Sequence, residues 1–403
     1  MQKLIRQPKY DLNDRPFMII WETTNACDLA CRHCRAEAIP ENDPLSLSTE
    51  EAKRLLEQVD SFGKPRPIFI FTGGDPFKRP DLFELLAYGN ELGLAMAVSP
   101  SGTPLLNEEN LRKVKENGAK AISLSIDGST PERHDDFRQV PGSFALTTNG
   151  WKLAQKIGLK LQLNTTVTRY NLDDLPNIFR LVLEIGAMTW SVFFLVPTGR
   201  GKAEDEVSPA EYEAVMHFLY DCSKYISAKT TEGHHYKRVV LQRAILDEKG
   251  LKPEDYFDLH PVYFELRDRL QKIVDEHGIQ PKETIHRTPM HINAGNGFVF
   301  ISRRGEVFPS GFMPVSVGNV RQKSLVNIYR EAPLFNALRD PSRYEGRCGL
   351  CEFVGVCGGS RSRAYALTGD PLAEEPFCTY EPGSFPFQEE LMARLNPEAQ
   401  PVT

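Results

Sequence analysis

The stretch Phe17-Met-Ile-Ile-Trp21, followed shortly by Cys27-Asp-Leu-Ala-Cys31-Arg-His-Cys34, decides the fold that this sequence predicts. The apolar run has the length and composition of a buried strand. The loop after it carries three cysteines at the carboxyl end of that strand, where α/β folds put their reactive groups. Three thiolates can bind three irons of a 4Fe-4S cluster and leave the fourth iron open to a substrate. Four thiolates mostly make an electron carrier or a structural site.

The same three cysteines also fit part of a zinc site, with His33 as a possible fourth ligand, or part of a disulfide framework. Disulfides are not expected, because eight cysteines in 403 residues is an ordinary number and residues 1–14 lack the charged-then-apolar pattern of an export segment. The spacing alone favours an iron–sulfur cluster over zinc. The thiols are therefore predicted to stay reduced, in the cytoplasm.

Composition excludes several classes of function. Hydrophobic residues make up 41% of the chain, which is enough for a large core, and the formal net charge of −6 disfavours a nucleic-acid-binding protein. No stretch approaches the roughly 18 uninterrupted apolar residues of a membrane-spanning helix. We therefore predict a protein that binds neither nucleic acid nor membranes.

The first half of the chain alternates apolar runs with helical patterns, which is the rhythm of βα units in a parallel sheet. Helix starts are marked by a capping box at Ser48 and Glu51, and by Asn107 and Asn171 as capping residues. Six βα units are fewer than the eight of a closed barrel, so the sequence predicts an α/β fold with an incomplete (β/α)6 TIM-like barrel. The six strand candidates are Phe17–Trp21, Ile68–Phe71, Leu94–Val98, Ala121–Ile126, Leu159–Val167 and Ser191–Val196.

The pattern changes after about residue 200. Charged helical sequence predicts a bridge or insertion over residues 201–295, and the runs 297–301 and 307–308 around Arg303-Arg-Gly-Glu306 predict a hairpin. We divide the chain into a partial barrel over 1–200, the helical bridge over 201–295, a small C-terminal iron–sulfur domain over 296–385 and a tail over 386–403 that is predicted to be poorly ordered.

Two further motifs carry chemistry. Phe71-Thr-Gly-Gly-Asp-Pro76 directly follows the second strand candidate, and its glycines allow a ligand or another backbone to approach closely. It is also a good tight turn between a strand and a helix. Far along the chain, Cys348, Cys351, Cys357 and Cys378 have spacings that fit either a four-cysteine cluster or zinc. Cys222 stands apart in a helical pattern and is predicted to be a buried packing thiol.

Together these motifs resemble the radical S-adenosylmethionine (SAM) enzymes that carry a C-terminal SPASM-type or twitch-like iron–sulfur domain. Residues 27–34 have the family's Cys-x3-Cys-x2-Cys spacing, and Gly73–Pro76 resembles its Gly-Gly-Glu motif, which in the family holds the amino group of SAM. Residues 17–36 and 357–366 are similar to the radical SAM decarboxylases of the alternative heme pathway, the heme b synthase-like branch. The similarity covers about residues 17–380.

The resemblance implies a set of SAM-binding positions. Ser125 and Asp127 correspond to a segment near the SAM ribose and carboxylate, Arg138 to an arginine that helps bind that carboxylate, and Asn164 and residues 196–199 to ribose and adenine contacts. The predicted SAM-binding residues are Gly73, Gly74, Asp75, Pro76, Ser125, Asp127, Arg138 and Asn164, with Ser99 and Ser101 as weaker candidates.

The C-terminal part departs from the full SPASM pattern, which holds two auxiliary clusters. The four cysteines match only the outer cluster, and Ser310 and Arg361 stand where inner-cluster cysteines would fall. Because only the outer-cluster cysteines are matched, the resemblance implies two 4Fe-4S clusters in total. One is the SAM-binding cluster on Cys27, Cys31 and Cys34, and the other has four cysteine ligands and serves as an electron conduit or a structural staple.

The resemblance implies an oxidoreductase-type enzyme that reductively cleaves SAM and takes a hydrogen from its substrate with the resulting 5′-deoxyadenosyl radical. The expected electron donor is a flavodoxin or ferredoxin. A tetrapyrrole of heme metabolism and a ribosomally made peptide both remain as substrates. A non-enzymatic iron–sulfur electron carrier is a further alternative. For a tetrapyrrole, the candidate partners of substrate carboxylates are Arg200, Lys202, Arg361 and Arg363.

Overall fold

The structure, a computed structural model, describes residue 5 and residues 10–282 and 290–395. Short apolar segments form the strands where the sequence alternates between buried and half-buried positions. In chain order the strands are β1 Met18–Glu22, β2 Ile68–Thr72, β3 Ala95–Val98, β4 Ala121–Ser125, β5 Lys160–Val167, β6 Thr189–Phe194, β7 Ala228–Thr231, β8 Asn293–Ala294, β9 Gly297–Ile301, β10 Glu306–Phe308 and β11 Gly318–Asn319.

These strands form one sheet in the order β11-β10-β9-β1-β2-β3-β4-β5-β6-β7, with β8 beside β9. All pairs from β1 to β7 are parallel, as βα units dictate, and β9 also pairs in parallel with β1. The predicted α/β partial barrel is therefore confirmed, and so is the hairpin, since β9 and β10 pair antiparallel. The barrel has more strands than the six that were predicted, because β7 and β9 extend it at both edges.

Helices cover one face of the sheet. Their ends follow the sequence signals: Ser48 makes a reciprocal capping box with Glu51, and the Asn107 side chain accepts from the Asn110 N–H. Gly186 ends its helix in the left-handed conformation. The helices are α1 Thr49–Asp60, α2 Leu82–Glu91, α3 Glu108–Glu116, α4 Pro131–Arg138, α5 Ser143–Ile157, α6 Leu175–Ile185, α7 Pro209–Cys222, α8 Tyr236–Lys249, α9 Pro261–Glu276, α10 Leu325–Glu331, α11 Pro333–Arg339, α12 Gly346–Leu350, α13 Arg361–Thr368 and α14 Gln388–Leu395.

The two faces of the parallel sheet differ in chemistry. Alternate strand residues such as Ile122 and Leu124 are buried in one core together with helix residues. The residues between them, Ser123 and Ser125 on β4 and Asn164 on β5, are half-buried on the face turned away from the helices. Because strand side chains alternate in direction, this helix-free face is polar over β4 and β5. A polar, accessible sheet face at the ends of parallel strands is suited to binding a ligand.

The predicted helical stretch after residue 200 contains α7, α8 and α9, and Cys222 is buried in it as predicted. It also contains β7, which was not predicted; residues 283–289 of the bridge lie outside the described part. The poorly ordered tail is a wrong prediction for its described portion, because α14 packs by the buried Leu391 into a small core that includes Leu246 and Phe385. Residues 396–403 of that tail are also outside the described part.

Within the described residues, the helices are too short or too polar for any of them to cross a lipid bilayer.

Candidate functional site

The three-cysteine loop lies directly beyond the carboxyl end of β1. Cys27 and Cys31 are buried and Cys34 is half-buried, in a small apolar group with Leu29 and Ala38. Each sulfur accepts one hydrogen bond: Leu29 N–H lies 3.4 Å from the Cys27 sulfur, Ala38 N–H 3.5 Å from that of Cys34, and the Arg138 guanidinium 3.4 Å from that of Cys31. Donors directed at sulfur stabilise thiolate rather than thiol.

Burial raises the pKa of the Cys27 thiol to about 11, despite a contact with Ser101 that lowers it. A bound metal supplies the positive charge that deprotonates such a thiol. The donor set therefore fits an iron–sulfur cluster with three thiolate ligands. His33, the possible fourth zinc ligand, stacks on the Phe137 ring at 4.6 Å between centroids.

The Gly-Gly-Asp-Pro turn packs directly against the chain that leads into the cysteine loop. Gly74 N–H donates to Thr24 O at 2.8 Å and Asp75 N–H to Ala26 O at 2.7 Å, so the parallel pairing of β1 and β2 continues past both strands. A side chain would not fit there, because a Cβ on Gly73 would lie 2.4 Å from Thr24 O and one on Gly74 2.5 Å from Ala26 O. The glycines are required by this contact between backbones.

Asp75 and Ser101 connect the turn to the neighbouring strand end. The Asp75 carboxylate is buried and accepts from the Thr103 hydroxyl at 2.7 Å and from Phe77 N–H at 3.2 Å, while burial raises its pKa. The Ser101 hydroxyl donates to Gly74 O at 2.8 Å and lies 3.5 Å from the Cys27 sulfur. The Asp75 side chain, the Asp75 N–H and both backbone polar groups of Gly74 thus all have partners inside the protein.

Arg138 reaches the loop from the end of α4. Its guanidinium forms an ion pair with Asp127, a residue only 1% exposed, as well as the contact with the Cys31 sulfur. The backbone O of Arg138 accepts a hydrogen bond from Ala30 N–H at 3.2 Å. Asp127 is held from the other side by Thr166 N–H at 2.7 Å. The charge of Arg138 is thus fixed between the Asp127 carboxylate and the Cys31 sulfur.

Ser125 and Asn164 are neighbours across β4 and β5, where they face each other in the strand register on the helix-free face. The Asn164 amide oxygen accepts from Gln162 at 2.8 Å. Ser99 lies on the same side of β3 and its hydroxyl is 2.5 Å from that of Ser123. The structure therefore brings the predicted SAM-binding residues to one end and one face of the sheet.

The loop after β6 closes the other side of the cysteine loop. Gly199 has a positive φ of 63°, and a Cβ there would meet Arg35 O at 2.4 Å. The Arg200 guanidinium donates to Cys31 O at 3.0 Å and to Ala38 O at 3.1 Å. Sequence reasoning did not foresee this scaffold role, because an arginine that binds main-chain carbonyls leaves no pattern in the sequence.

Three of the four arginine and lysine candidates for substrate carboxylates are therefore wrong. Arg200 is used by the cysteine loop, and Arg361 and Arg363 are fully buried. Arg363 forms ion pairs with Glu206 at 3.3 Å and Glu375 at 3.4 Å. Lys202 remains largely exposed and pairs with Glu204 at 3.3 Å. Arg361 and Arg363 are therefore buried inside the protein, where they do not reach an exposed surface.

The four C-terminal cysteines line one recess, which they share with Arg238. Burial raises the pKa of Cys351 to about 12 and also raises the pKa values of Cys357 and Cys378. The Cys348 sulfur accepts from Glu375 N–H at 3.3 Å and the Cys357 sulfur from Gly359 N–H at 3.4 Å. One buried and three half-buried thiols, two of which accept N–H hydrogen bonds, are a donor set that fits a second metal centre.

At neither site do three Cys, His, Asp or Glu side chains of the described chain converge on a point where one metal ion would bind.

Ser310, at one of the positions where the resemblance expects an inner-cluster cysteine, is buried in a hydrogen-bond network. Its hydroxyl, with those of Ser360 and Ser362, donates to the buried carboxylate of Glu232 at 3.1, 2.5 and 3.0 Å. Glu232 follows β7 with a positive φ of 56°. The network joins the barrel edge to the C-terminal segment, and sequence reasoning missed Glu232 because a lone glutamate in a polar run carries no pattern.

Comparison with protein families gives one match: the model of the radical SAM superfamily fits residues 21–182. An AdoMet-dependent heme synthase of Methanosarcina barkeri is 40% identical over 374 residues, covering 92% of this chain and 99% of the relative. One from Nitratidesulfovibrio vulgaris is 40% identical over 91% of this chain and 92% of the relative.

Among solved structures, Streptococcus suis SuiB bound to its precursor peptide SuiA superposes with a TM-score of 0.63 at 16% sequence identity. The match covers 91% of this chain and 76% of SuiB. At this level of identity the likeness establishes the fold alone.

Proposed function

This chain belongs to the radical SAM superfamily and is an enzyme of that family. On this premise, we propose that it oxidatively decarboxylates propionate side chains of a tetrapyrrole in heme metabolism. The non-enzymatic electron carrier is thereby excluded. The observation that carries the proposal is the 40% identity, over nearly the full length of both chains, to a relative named AdoMet-dependent heme synthase. The peptide alternative has only the fold-level likeness to SuiB in its favour.

We assign the SAM-cleaving cluster to Cys27, Cys31 and Cys34, whose sulfurs each accept one hydrogen bond. When bound, such a cluster would supply the electron that cleaves SAM and so generates the oxidising radical. We propose that the Gly73–Gly74 backbone and the guanidinium of Arg138 hold the amino acid part of SAM beside that loop.

The remaining SAM contacts are assigned to the helix-free face. Ser125 and Asn164 stand opposite each other on adjacent strands and offer hydroxyl and amide groups suited to a ribose. Asp127 positions Arg138 through their buried ion pair. Residues 196–199, next to the cysteine loop, complete the set on the β6 side.

The proposed reaction converts a propionate side chain into a vinyl group. A hydrogen atom is removed from the propionate carbon that is bonded to the macrocycle. The bond between the carboxylate and its neighbouring carbon then breaks, carbon dioxide leaves, a vinyl group forms and one electron is released. We assign that electron to a second 4Fe-4S cluster on Cys348, Cys351, Cys357 and Cys378, from which an external acceptor removes it.

A flavodoxin or ferredoxin is the proposed source of the electron for SAM cleavage. All eight cysteines are free thiols, which agrees with a reducing compartment, and we propose that the enzyme works in the cytoplasm.

The Cys31→Ala enzyme tests the SAM chemistry. Loss of this ligand should abolish 5′-deoxyadenosine formation from SAM after dithionite reduction, measured by chromatography under anaerobic conditions. The matched control is Cys222→Ala, which changes a buried cysteine in α7 and should retain the activity. If Cys31→Ala still formed 5′-deoxyadenosine, the assignment of the cluster would be wrong.

An anaerobic assay with coproporphyrin substrates, with and without iron, tests the tetrapyrrole assignment. The expected product has lost carbon dioxide and two hydrogens for each propionate converted, as measured by mass spectrometry. Formation of 5′-deoxyadenosine without any such loss would overturn the substrate assignment and favour a peptide substrate.

A further inference from the structure

Arg361 is the first residue of α13 and is fully buried next to the C-terminal cysteines. One guanidinium nitrogen lies 3.5 Å from the Cys348 sulfur. The other terminal nitrogen donates to Ala373 O at 2.6 Å and to Pro371 O at 3.2 Å, and the guanidinium carbon lies 4.5 Å from the centre of the Tyr344 ring. These contacts fix the guanidinium in one orientation, with one edge directed at sulfur.

The charge of Arg361 is not neutralised by an acidic side chain. Within the described part of the chain, no carboxylate lies within ion-pair distance of it, and its other acceptors are neutral carbonyls and an aromatic ring. Nearby arginines differ: Arg238 pairs with Glu213 at 2.6 Å, and Arg347 pairs with Glu374 at 3.4 Å. Burying an unpaired guanidinium is costly unless another negative group balances it.

The negative group available to Arg361 is the cysteine centre itself. Four thiolates around a cluster carry net negative charge, and reduction adds one more electron to it. A fixed positive charge in a buried, low-dielectric site stabilises the more negative state more strongly. Hydrogen bonds to the cysteine sulfurs act in the same direction and are a main determinant of cluster potential.

From this arrangement we propose that Arg361 is a positioning residue that raises the reduction potential of the C-terminal cluster and so makes it an electron acceptor. The inference rests on the proposed function, because it requires a cluster at Cys348, Cys351, Cys357 and Cys378. The resemblance expects a cysteine of an inner cluster at this position. This chain has instead a cation directed at Cys348, a cysteine that we assign to the outer cluster.

The test is a redox titration of the fully loaded enzyme, followed by electron paramagnetic resonance. SAM changes the signal of the cluster with an open iron only, so the two clusters are distinguished in the same sample. In Arg361→Gln, the midpoint potential of the SAM-insensitive cluster should fall, whereas Arg361→Lys, which keeps the charge, should restore most of the difference. The potential of the SAM-sensitive cluster should not change.

Arg347→Gln is the matched control, because Arg347 lines the same recess but its charge is paired and half-exposed. It should shift the potential much less than Arg361→Gln. Equal potentials in Arg361→Gln and the unaltered enzyme, or equal shifts in Arg361→Gln and Arg361→Lys, would overturn the proposal.

A second charge-removing variant, Arg361→Leu, covers the case in which Arg361→Gln fails to take up iron. If neither variant assembles the cluster while Arg361→Lys does, the charge serves assembly and the tuning proposal is wrong. If the unaltered enzyme cleaves SAM but contains only about four irons or contains zinc at the C-terminal site, this inference falls while the SAM chemistry of the proposed function stands.

Discussion

Gly74 lies where the Gly-Gly-Asp-Pro turn packs closely against residues 25–26, which lead into the cysteine loop. An added Cβ would lie 2.5 Å from Ala26 O and 2.6 Å from Asn25 O, and backbone atoms cannot yield as a flexible side chain can. We expect Gly74→Ala to displace the cysteine loop, to lower the free energy of unfolding by about 1–3 kcal/mol and to reduce SAM cleavage at least tenfold. Urea titration and 5′-deoxyadenosine formation measure the two effects.

Gly355→Ala is the control for Gly74→Ala, since nothing lies within 4 Å of a Cβ at Gly355. It should change stability by less than about 0.5 kcal/mol. Full SAM cleavage by Gly74→Ala would show that the tight approach of the two loops is not needed for activity.

At the level of single residues, the sequence predicted the cysteines and the glycine turn because both belong to short local motifs with a chemical reason for their spacing. It did not predict that Arg361 and Arg363 would be buried, because a charged side chain is usually exposed unless it is paired. Arg361 contacts Tyr344 and other residues near it along the chain, but Arg363 pairs with Glu206, which lies far away in sequence. Only the tertiary fold brings such pairs together.

At the level of elements, strands with apolar runs were predicted, whereas β7 and the two-residue strands β8 and β11 were not. β7 reads Ala228-Lys-Thr-Thr231, which has no apolar run, and only parallel pairing with β6 makes it a strand. The sequence predicted β9 and β10 as a separate hairpin. Their place in the barrel follows from a parallel pairing with β1 that spans most of the chain, and sequence periodicity contains no information on such long-range partners.

The segment between β6 and α7 carries a pH-dependent group. Glu206 is 4% exposed, and burial raises its pKa from 4.5 to about 7 despite Arg363 nearby. In the unfolded chain this carboxyl loses its proton at lower pH than in the folded protein. The free energy of unfolding should therefore decrease as the pH rises from about 5 to about 7, by up to about 3 kcal/mol.

Glu206→Gln removes this titration, so the free energy of unfolding of this variant should change less over the same pH range. Anaerobic urea unfolding of the loaded enzyme measures this change. The matched control is Glu204→Gln, which changes an exposed carboxylate in the same segment and should leave the pH profile unchanged. If the free energy of unfolding of Glu206→Gln fell with pH as steeply as that of the unaltered enzyme, Glu206 would not be the titrating group.

At the level of the whole molecule, the C-terminal cysteines support a core of few side chains. Leu241, Ile245, Phe353 and Val356 are among its buried members, next to Cys357. A core of this size gives limited stability, and a bound metal centre adds folding free energy. The larger core under the sheet needs no such support.

We expect Cys348→Ser to lower the iron content from about eight to about four per chain and to increase hydrogen exchange over residues 346–391. Exchange in β1 to β6 should not change. Cys222→Ala is again the control and should keep both clusters. A content near twelve irons in the unaltered enzyme would contradict the count of two clusters. Equal increases in hydrogen exchange throughout the chain would show that the centre does not stabilise residues 346–391 in particular.

The pairing of β1 with both β2 and β9 has a consequence for biosynthesis. Because β9 follows β1 in the chain, one hydrogen-bonding edge of β1 stays uncovered until residues 297–301 have been translated. At typical elongation rates this interval lasts on the order of tens of seconds. An open strand edge promotes aggregation, so the nascent chain is expected to need a chaperone or another temporary cover until β9 emerges.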